Sequence, residues 1–265
     1  MRFISYRKGE RLMLRLAFFL LTALLTCAVA YARVPFGKDV LSSPDEYFST
    51  REQGVDSMAF LPPPPAYDSL LFAQDKAAYE YGLSLRHTER GAQALKDCDV
   101  HHLPETFSEA FGGPITEQDM PELFLLMKRA ARELSSLSTR TAKKGYRRLR
   151  PYVLYNAATC QPEGEEQRRN SGSYPSGHSS MGWGLALILS EINPGRKEVL
   201  LKRGYEYGQS RVICGYHWQS DVDAGRLAGA AGVANLHAND DFSRQLHKAK
   251  EEFARLAEAG KVRTQ

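Results

Sequence analysis

The chain has 265 residues, 43% of them hydrophobic and 25% charged, with a formal net charge of +4. That length and apolar content supply one substantial core, and a single domain is the simplest organisation. Five basic residues, Arg2, Arg7, Lys8, Arg11 and Arg15, fall with one acid, Glu10, in residues 1–32, so the remainder is formally neutral. With no net positive field and no basic run interleaved with aromatics, binding to a nucleic-acid polymer is excluded.

An apolar stretch from Leu16 to Ala30 follows those cations and closes on the small-residue pattern Ala30-Tyr31-Ala32. This is the order of a cleavable signal peptide over residues 1–32. The stretch is shorter than the roughly 20 residues that span a bilayer, which argues against a retained anchor and stable membrane insertion. Thr26 before Cys27 argues against lipidation, and a start at Met13 leaves the same mature chain as a start at Met1. Export leads to an oxidising compartment, where Cys98, Cys160 and Cys214 can form at most one intramolecular disulfide. No cysteine spacing is that of a zinc or iron–sulfur site, and no metal or other cofactor is expected.

Residues 33–67 are polar and turn-rich, with Pro35, Pro44 and the run Pro62 to Pro65, and predict an extended lead-in outside the core. A helical domain is predicted over 68–265. It opens with Leu70, Leu71, Ala77, Tyr79, Leu83 and Leu85 at helical spacing. Gly112-Gly113-Pro114 breaks the chain, and Thr116, Gln118 and Asp119 open a helix predicted from Glu117 to about Leu149. Its apolar stripe is Leu123, Phe124, Leu126, Met127, Ala130, Leu134 and Leu137, and Pro151 ends it by disfavouring helical geometry at Arg150. Further helices are predicted from Ser176 to Ile192, Gly195 to Arg211, His217 to His237 and Asp241 to Ala259. Strand-like alternation is nearly absent, no repeat of about 20 to 50 residues is visible, and the apolar runs are too short to span a membrane. The predicted fold class is all-α.

Three clusters carry chemistry. Lys143 and Arg150, seven residues apart, fall near one face of the predicted helix, where a point charge and a planar fork together hold two oxygens of a phosphate. Lys144, Arg147 and Arg148 around them read as solvated surface. The second cluster, Ser173-Tyr174-Pro175-Ser176-Gly177-His178, leads into a helix whose free N–H groups favour an anion. There Gly177 permits close approach, Ser176 adds a hydroxyl and His178 can donate a proton. The third is Ser210-Arg211, His217 and Asp221. Four residues apart, His217 and Asp221 lie on neighbouring turns of one helix face, so the carboxylate takes the Nδ1 proton and leaves Nε2 as nucleophile. Cys160 and Cys214 lie beside these converging segments and are the expected disulfide pair.

In this order, K-x6-R-P, P-S-G-H and S-R-x5-H-x3-D resemble the signature of the acid phosphatase and vanadium haloperoxidase superfamily. Gly172-Ser173-Tyr174, the stretch Gly204 to Arg226, Pro62 to Pro65 and Thr88-Glu89-Arg90-Gly91 resemble the bacterial class A non-specific acid phosphatases. One departure is Ser179, where that class usually carries threonine. The resemblance implies an all-helical periplasmic homo-oligomer that needs no metal and hydrolyses small organic phosphomonoesters with broad specificity. A phosphohistidine intermediate and a phosphotransferase side activity are part of that implication. His217 is then the nucleophile, His178 the acid and later base, and Asp221 the orienting carboxylate. Lys143, Arg150, Arg211, Ser176 and Gly177 bind phosphate oxygens. A vanadate-dependent haloperoxidase, a membrane lipid phosphatase and a phosphate-binding protein without turnover are the rival readings.

Overall fold

The computed structural model describes residues 47–265, and every regular element among them is helical. The predicted signal peptide and residues 33–46 lie outside the described residues. Helix α1, Leu70–Ser84, starts where the Ser69 side chain accepts the Phe72 N–H, and α2, Glu89–Lys96, where Thr88 accepts the Gly91 N–H. The buried face of α1 is Phe72, Asp75, Tyr79 and Gly82. Leu70 and Leu71, expected on that face, are 88% and 61% exposed. Helix α3, Leu103–Phe111, ends on Gly112 in the left-handed region.

The single helix expected from Glu117 to Leu149 is in fact three pieces. Thr116 and Asp119 tie residues 116–119 into a turn, since Thr116 Oγ1 donates to Asp119 Oδ2 and accepts the Asp119 N–H. Helix α4 therefore begins later, over Pro121–Arg132, with proline in the first turn, where its missing N–H costs nothing. A π-helical turn at Glu133–Leu137 follows, then the short α5, Arg140–Tyr146. Arg147, in the left-handed region at φ 47°, stops α5. Pro151 does not end a helix; it starts α6, Pro151–Leu154.

After α7, Glu165–Arg169, the apolar helix α8, Gly177–Ile192, runs through the centre. Against it pack α9, Lys197–Ile213, and α10, Gln219–His237, and α11, Asp240–Glu258, covers α4. The main core combines Phe107, Phe111, Leu123, Leu126, Met127, Leu134, Leu185, Ile188, Leu189, Leu200 and Phe242. Each such side chain contributes about 1.5–3 kcal/mol by leaving water. The stripe predicted on α4 is thus the core face, with Phe124 only half-buried.

The lead-in, expected outside the core, docks on it. Phe48 is 6% exposed and meets the Phe242 ring edge-on at 5.3 Å. Ser49 N–H donates to the buried Glu133 carboxylate at 3.1 Å, and Leu61 packs with Ala142, Tyr174, Ala224 and Ala228. Among the described residues no helix is long and apolar enough to cross a membrane.

Candidate active site

The first motif lies on α5 and on the non-helical link to α6, so Lys143 and Arg150 share no helix face. They converge because the segment after α7 runs between their tips. Lys143 Nζ donates to Gly172 O at 3.2 Å and Ser173 O at 3.4 Å, and Arg150 Nη2 donates to the same Gly172 O at 3.4 Å. Arg150 Nε donates to the carbonyls of Arg168 and Ser171, each at 3.2 Å, which fixes the plane of the fork. Burial, with Arg150 and Arg211 nearby, pulls the Lys143 ammonium down to about 7 against the pull of Asp221. Burial likewise lowers Arg150 to about 10.

In the second motif Ser176 caps α8. Its Oγ accepts the Ser179 N–H at 3.3 Å and the Ser179 hydroxyl at 3.0 Å, so its own O–H proton is left to donate. The N–H groups of Gly177 and His178 are first-turn donors without an intrahelical acceptor. Gly177, expected to serve the approach of an anion, also serves packing: a Cβ there would stand 2.9 Å from Ser135 O in the π-helical turn. The His178 ring stacks on Tyr207 at 5.9 Å and 13°, and its buried Nε2 has no hydrogen-bond partner among the described residues. Burial, then the charges of Arg211, Arg168 and His217, hold His178 well below the usual imidazole range.

The third motif spans the end of α9 and the entry to α10. Ser210 donates to Asp97 Oδ2 at 2.6 Å and so docks α9 on α2's C-terminal end. Arg211, 2% exposed, has Nη1 2.9 Å from Cys98 Sγ and its guanidinium carbon 4.1 Å from the Tyr216 ring centre. His217 is not on the helix face expected for it. It precedes α10, Trp218 is the N-cap, and Asp221 stands in the first turn. Asp221 Oδ2 accepts the Trp218 N–H at 2.9 Å and lies 3.3 Å from His217 Nδ1. One carboxylate thereby caps the helix and faces the imidazole.

His217 Nε2 lies 3.0 Å from Arg150 Nη1. A guanidinium only donates, so Nε2 accepts and the ring proton sits on Nδ1, toward Asp221. Ser176 N–H donates to Asp221 O at 2.8 Å, joining the second motif to the third. Burial, then Arg150, Lys143 and Arg211, lower His217 well below its usual value, so the imidazole is neutral. All eight residues singled out in the sequence belong to these three stretches.

The sequence reading missed Arg148 and Asp75. Arg148 is 5% exposed and bridges Asp75 and Asp221, each at 2.7 Å. The legible signal was on its partner, because Asp75 stands at helical spacing between the buried Phe72 and Tyr79. The expected Cys160–Cys214 disulfide is present, and Cys98 is a free, buried thiol. Among the described residues no three His, Cys, Asp or Glu side chains are grouped to hold a metal ion.

Residues 129–241, which contain all three motifs, match the PAP2 superfamily. The non-specific acid phosphatase of Providencia stuartii is 51% identical over 243 residues, 91% of this chain and 98% of that protein. The non-specific acid phosphatase of Salmonella typhimurium is 45% identical over 208 residues, 78% of this chain and 83% of that protein. The acid phosphatase of Zymomonas mobilis is 36% identical over 208 residues, 77% and 78% of the two chains. At this identity and coverage, the chain belongs to the PAP2 superfamily and, within it, to the bacterial class A non-specific acid phosphatases.

Proposed function

We propose that the protein is an exported acid phosphatase that hydrolyses small organic phosphomonoesters through a phosphohistidine on His217. One observation carries the mechanism: His217 is neutral, its Nδ1 faces Asp221, and its Nε2 faces the cation side of the site. Nε2 attacks phosphorus in line, the bond from phosphorus to the ester oxygen breaks, and His178 gives that oxygen its proton. His178 then takes a proton from water, whose oxygen attacks phosphorus, and the P–N bond breaks to release phosphate and restore His217. An alcohol in place of water gives phosphotransfer.

Charge in this reaction spreads over the equatorial oxygens, which calls for fixed cations and N–H donors. Lys143, Arg150, Arg211, the Ser176 hydroxyl and the N–H of Gly177 supply them. Export to the periplasm is supported by residues 1–32 and by the Cys160–Cys214 disulfide, a bond of oxidising compartments. Residues 33–67 are then the first segment of the mature chain and 68–265 its helical domain, and a homo-oligomer is the proposed assembly.

The test is chemical. Enzyme quenched during turnover, at acidic pH with a chelator present, is expected to carry phosphate that is labile in acid and stable in base. Phosphate with the opposite stability marks a serine ester and overturns the reading.

A further inference from the structure

Asp221 gives its two carboxylate oxygens to different neighbours. Oδ2 serves Trp218 N–H and His217, while Oδ1 accepts from Arg148 Nη1 at 2.7 Å. Arg148 Nη2 donates to Asp75 Oδ2 at 2.7 Å, and Nη1 also donates to Ser220 Oγ at 2.7 Å. Ser220 returns two bonds to Asp75, from its N–H at 2.7 Å and its hydroxyl at 2.6 Å. Asp75 is 2% exposed, Arg148 5% and Asp221 0%, so the three charged members of this relay are buried, with the half-buried Ser220 at its edge.

Its charges have a direction. One guanidinium between two carboxylates leaves a single negative charge, and the Asp221 oxygen not bound by Arg148, which also takes the Trp218 N–H, faces His217 Nδ1. A carboxylate held only by its helix cap can turn about its last bond toward other cations. Lys143 and Arg150 are close enough for Asp221 to bear on both. The planar fork of Arg148, itself held by Asp75 on α1, removes that freedom.

We propose that Arg148, clamped by Asp75, is a positioning residue: it locks Asp221 so that His217 presents Nε2 to phosphorus. Arg148 touches no reacting atom and acts through Asp221. This rests on His217 being the nucleophile, as proposed above.

Two substitutions test it. Asp75→Asn keeps the side-chain shape on a helix that supplies no phosphate-binding cation, and Arg148→Lys keeps the charge but loses the fork. Each is expected to lower kcat about 10-fold to 100-fold, the effect of a small misplacement of a reacting group. KM and inhibition by inorganic phosphate stay within about twofold, because the binding groups are untouched. In an Asp221→Asn background the same substitutions cost less than about threefold more, since the residue through which they act is already gone. An equal loss in that background overturns the proposal, as does wild-type kcat in an Asp75→Asn enzyme that melts normally. If Arg148→Lys does not fold, Asp75→Asn carries the cycle. Turnover kept by His217→Ala is a separate result and removes the nucleophile assignment itself.

Discussion

Arg150 Nη1 and His217 Nε2 are 3.0 Å apart, so the cation proposed to hold phosphate touches the atom proposed to attack it. The contact settles which imidazole nitrogen carries the proton, because a guanidinium has nothing to accept. It also sets an order of events. Under the proposed mechanism a phosphate oxygen takes over the Nη1–H before Nε2 reaches phosphorus, while Arg150 stays anchored through Nε on Arg168 O and Ser171 O. In that proposal, binding the equatorial oxygens and freeing the nucleophile are one exchange of partner at one guanidinium N–H.

Arg150→Lys is therefore expected to fail despite keeping the charge. An ammonium is a point donor and cannot hold two carbonyls and a phosphate oxygen at fixed angles. Loss of one transition-state donor costs on the order of 10²-fold to 10³-fold in kcat. Steady-state rates on an aryl phosphate measure it, and a loss under about fivefold excludes the coupled role.

The pH dependence follows from two opposite requirements. His217 must be neutral to attack, and its folded value lies well below the usual imidazole range. Lys143 must be charged to hold phosphate, and it loses its proton near pH 7. The proposed acid, His178, must also carry a proton although burial and nearby cations lower it, so the charge of bound phosphate has to favour its protonated form, and kcat/KM is expected to peak at acidic pH and fall above neutrality. Phosphate raises the Lys143 value by favouring its charged form, so binding above pH 7 takes up a proton. Calorimetry of phosphate binding in buffers of different ionisation heat reads that uptake, and Lys143→Met is expected to reduce it. A kcat/KM profile that keeps rising above about pH 8 contradicts this division of roles.

The three motifs were legible in the sequence as a set, through their resemblance to a family signature and not through any one cluster by itself, and the roles of their residues are the proposal made above. The helices after Ser176 were legible to within two residues, since Ser176, Asn193 and Pro194 punctuate them. What failed was inference from continuous periodicity. The stripe on α4 continues through Leu134 and Leu137, so nothing in its spacing announces the π-helical turn or the left-handed Arg147. Lys143 and Arg150 meet by way of Gly172 and not by helix geometry. Arg148 was hidden for a physical reason, because a basic run looks solvated until its buried carboxylates, one of them on a distant helix, are found.

The Cys160–Cys214 disulfide closes a loop with a sequence separation of 54 that carries both the second motif and Arg211. Loop-closure entropy at that length gives it about 4 kcal/mol of stability. The paired Cys160→Ser, Cys214→Ser variant is expected to melt roughly 10 °C lower while keeping its kcat at 25 °C. Thermal unfolding followed by circular dichroism measures the shift. An unchanged midpoint would mean that the unfolded chain is already compact around this loop.

Helix α10 brings Asp221 to the start of α8, and glycine makes that approach possible. A Cβ on Gly225 would stand 2.6 Å from Ser176 O and 2.8 Å from Ser179 Cβ, backbone and short side chain that have nowhere to go. Gly225→Ala must push this part of α10 away from the first turn of α8. That movement strains the Ser176 N–H bond to Asp221 O, the direct link between the two motifs. Overpacking of this kind costs about 1–3 kcal/mol, which leaves the protein folded. The displacement of His217 relative to Ser176 is expected to lower kcat about 100-fold. Leu227→Ala, two residues along the same helix and 57% exposed, is the control, with stability within about 0.5 kcal/mol of the parent and full activity. If Gly225→Ala folds and turns over like the parent, the distance between these two helices does not set the catalytic geometry.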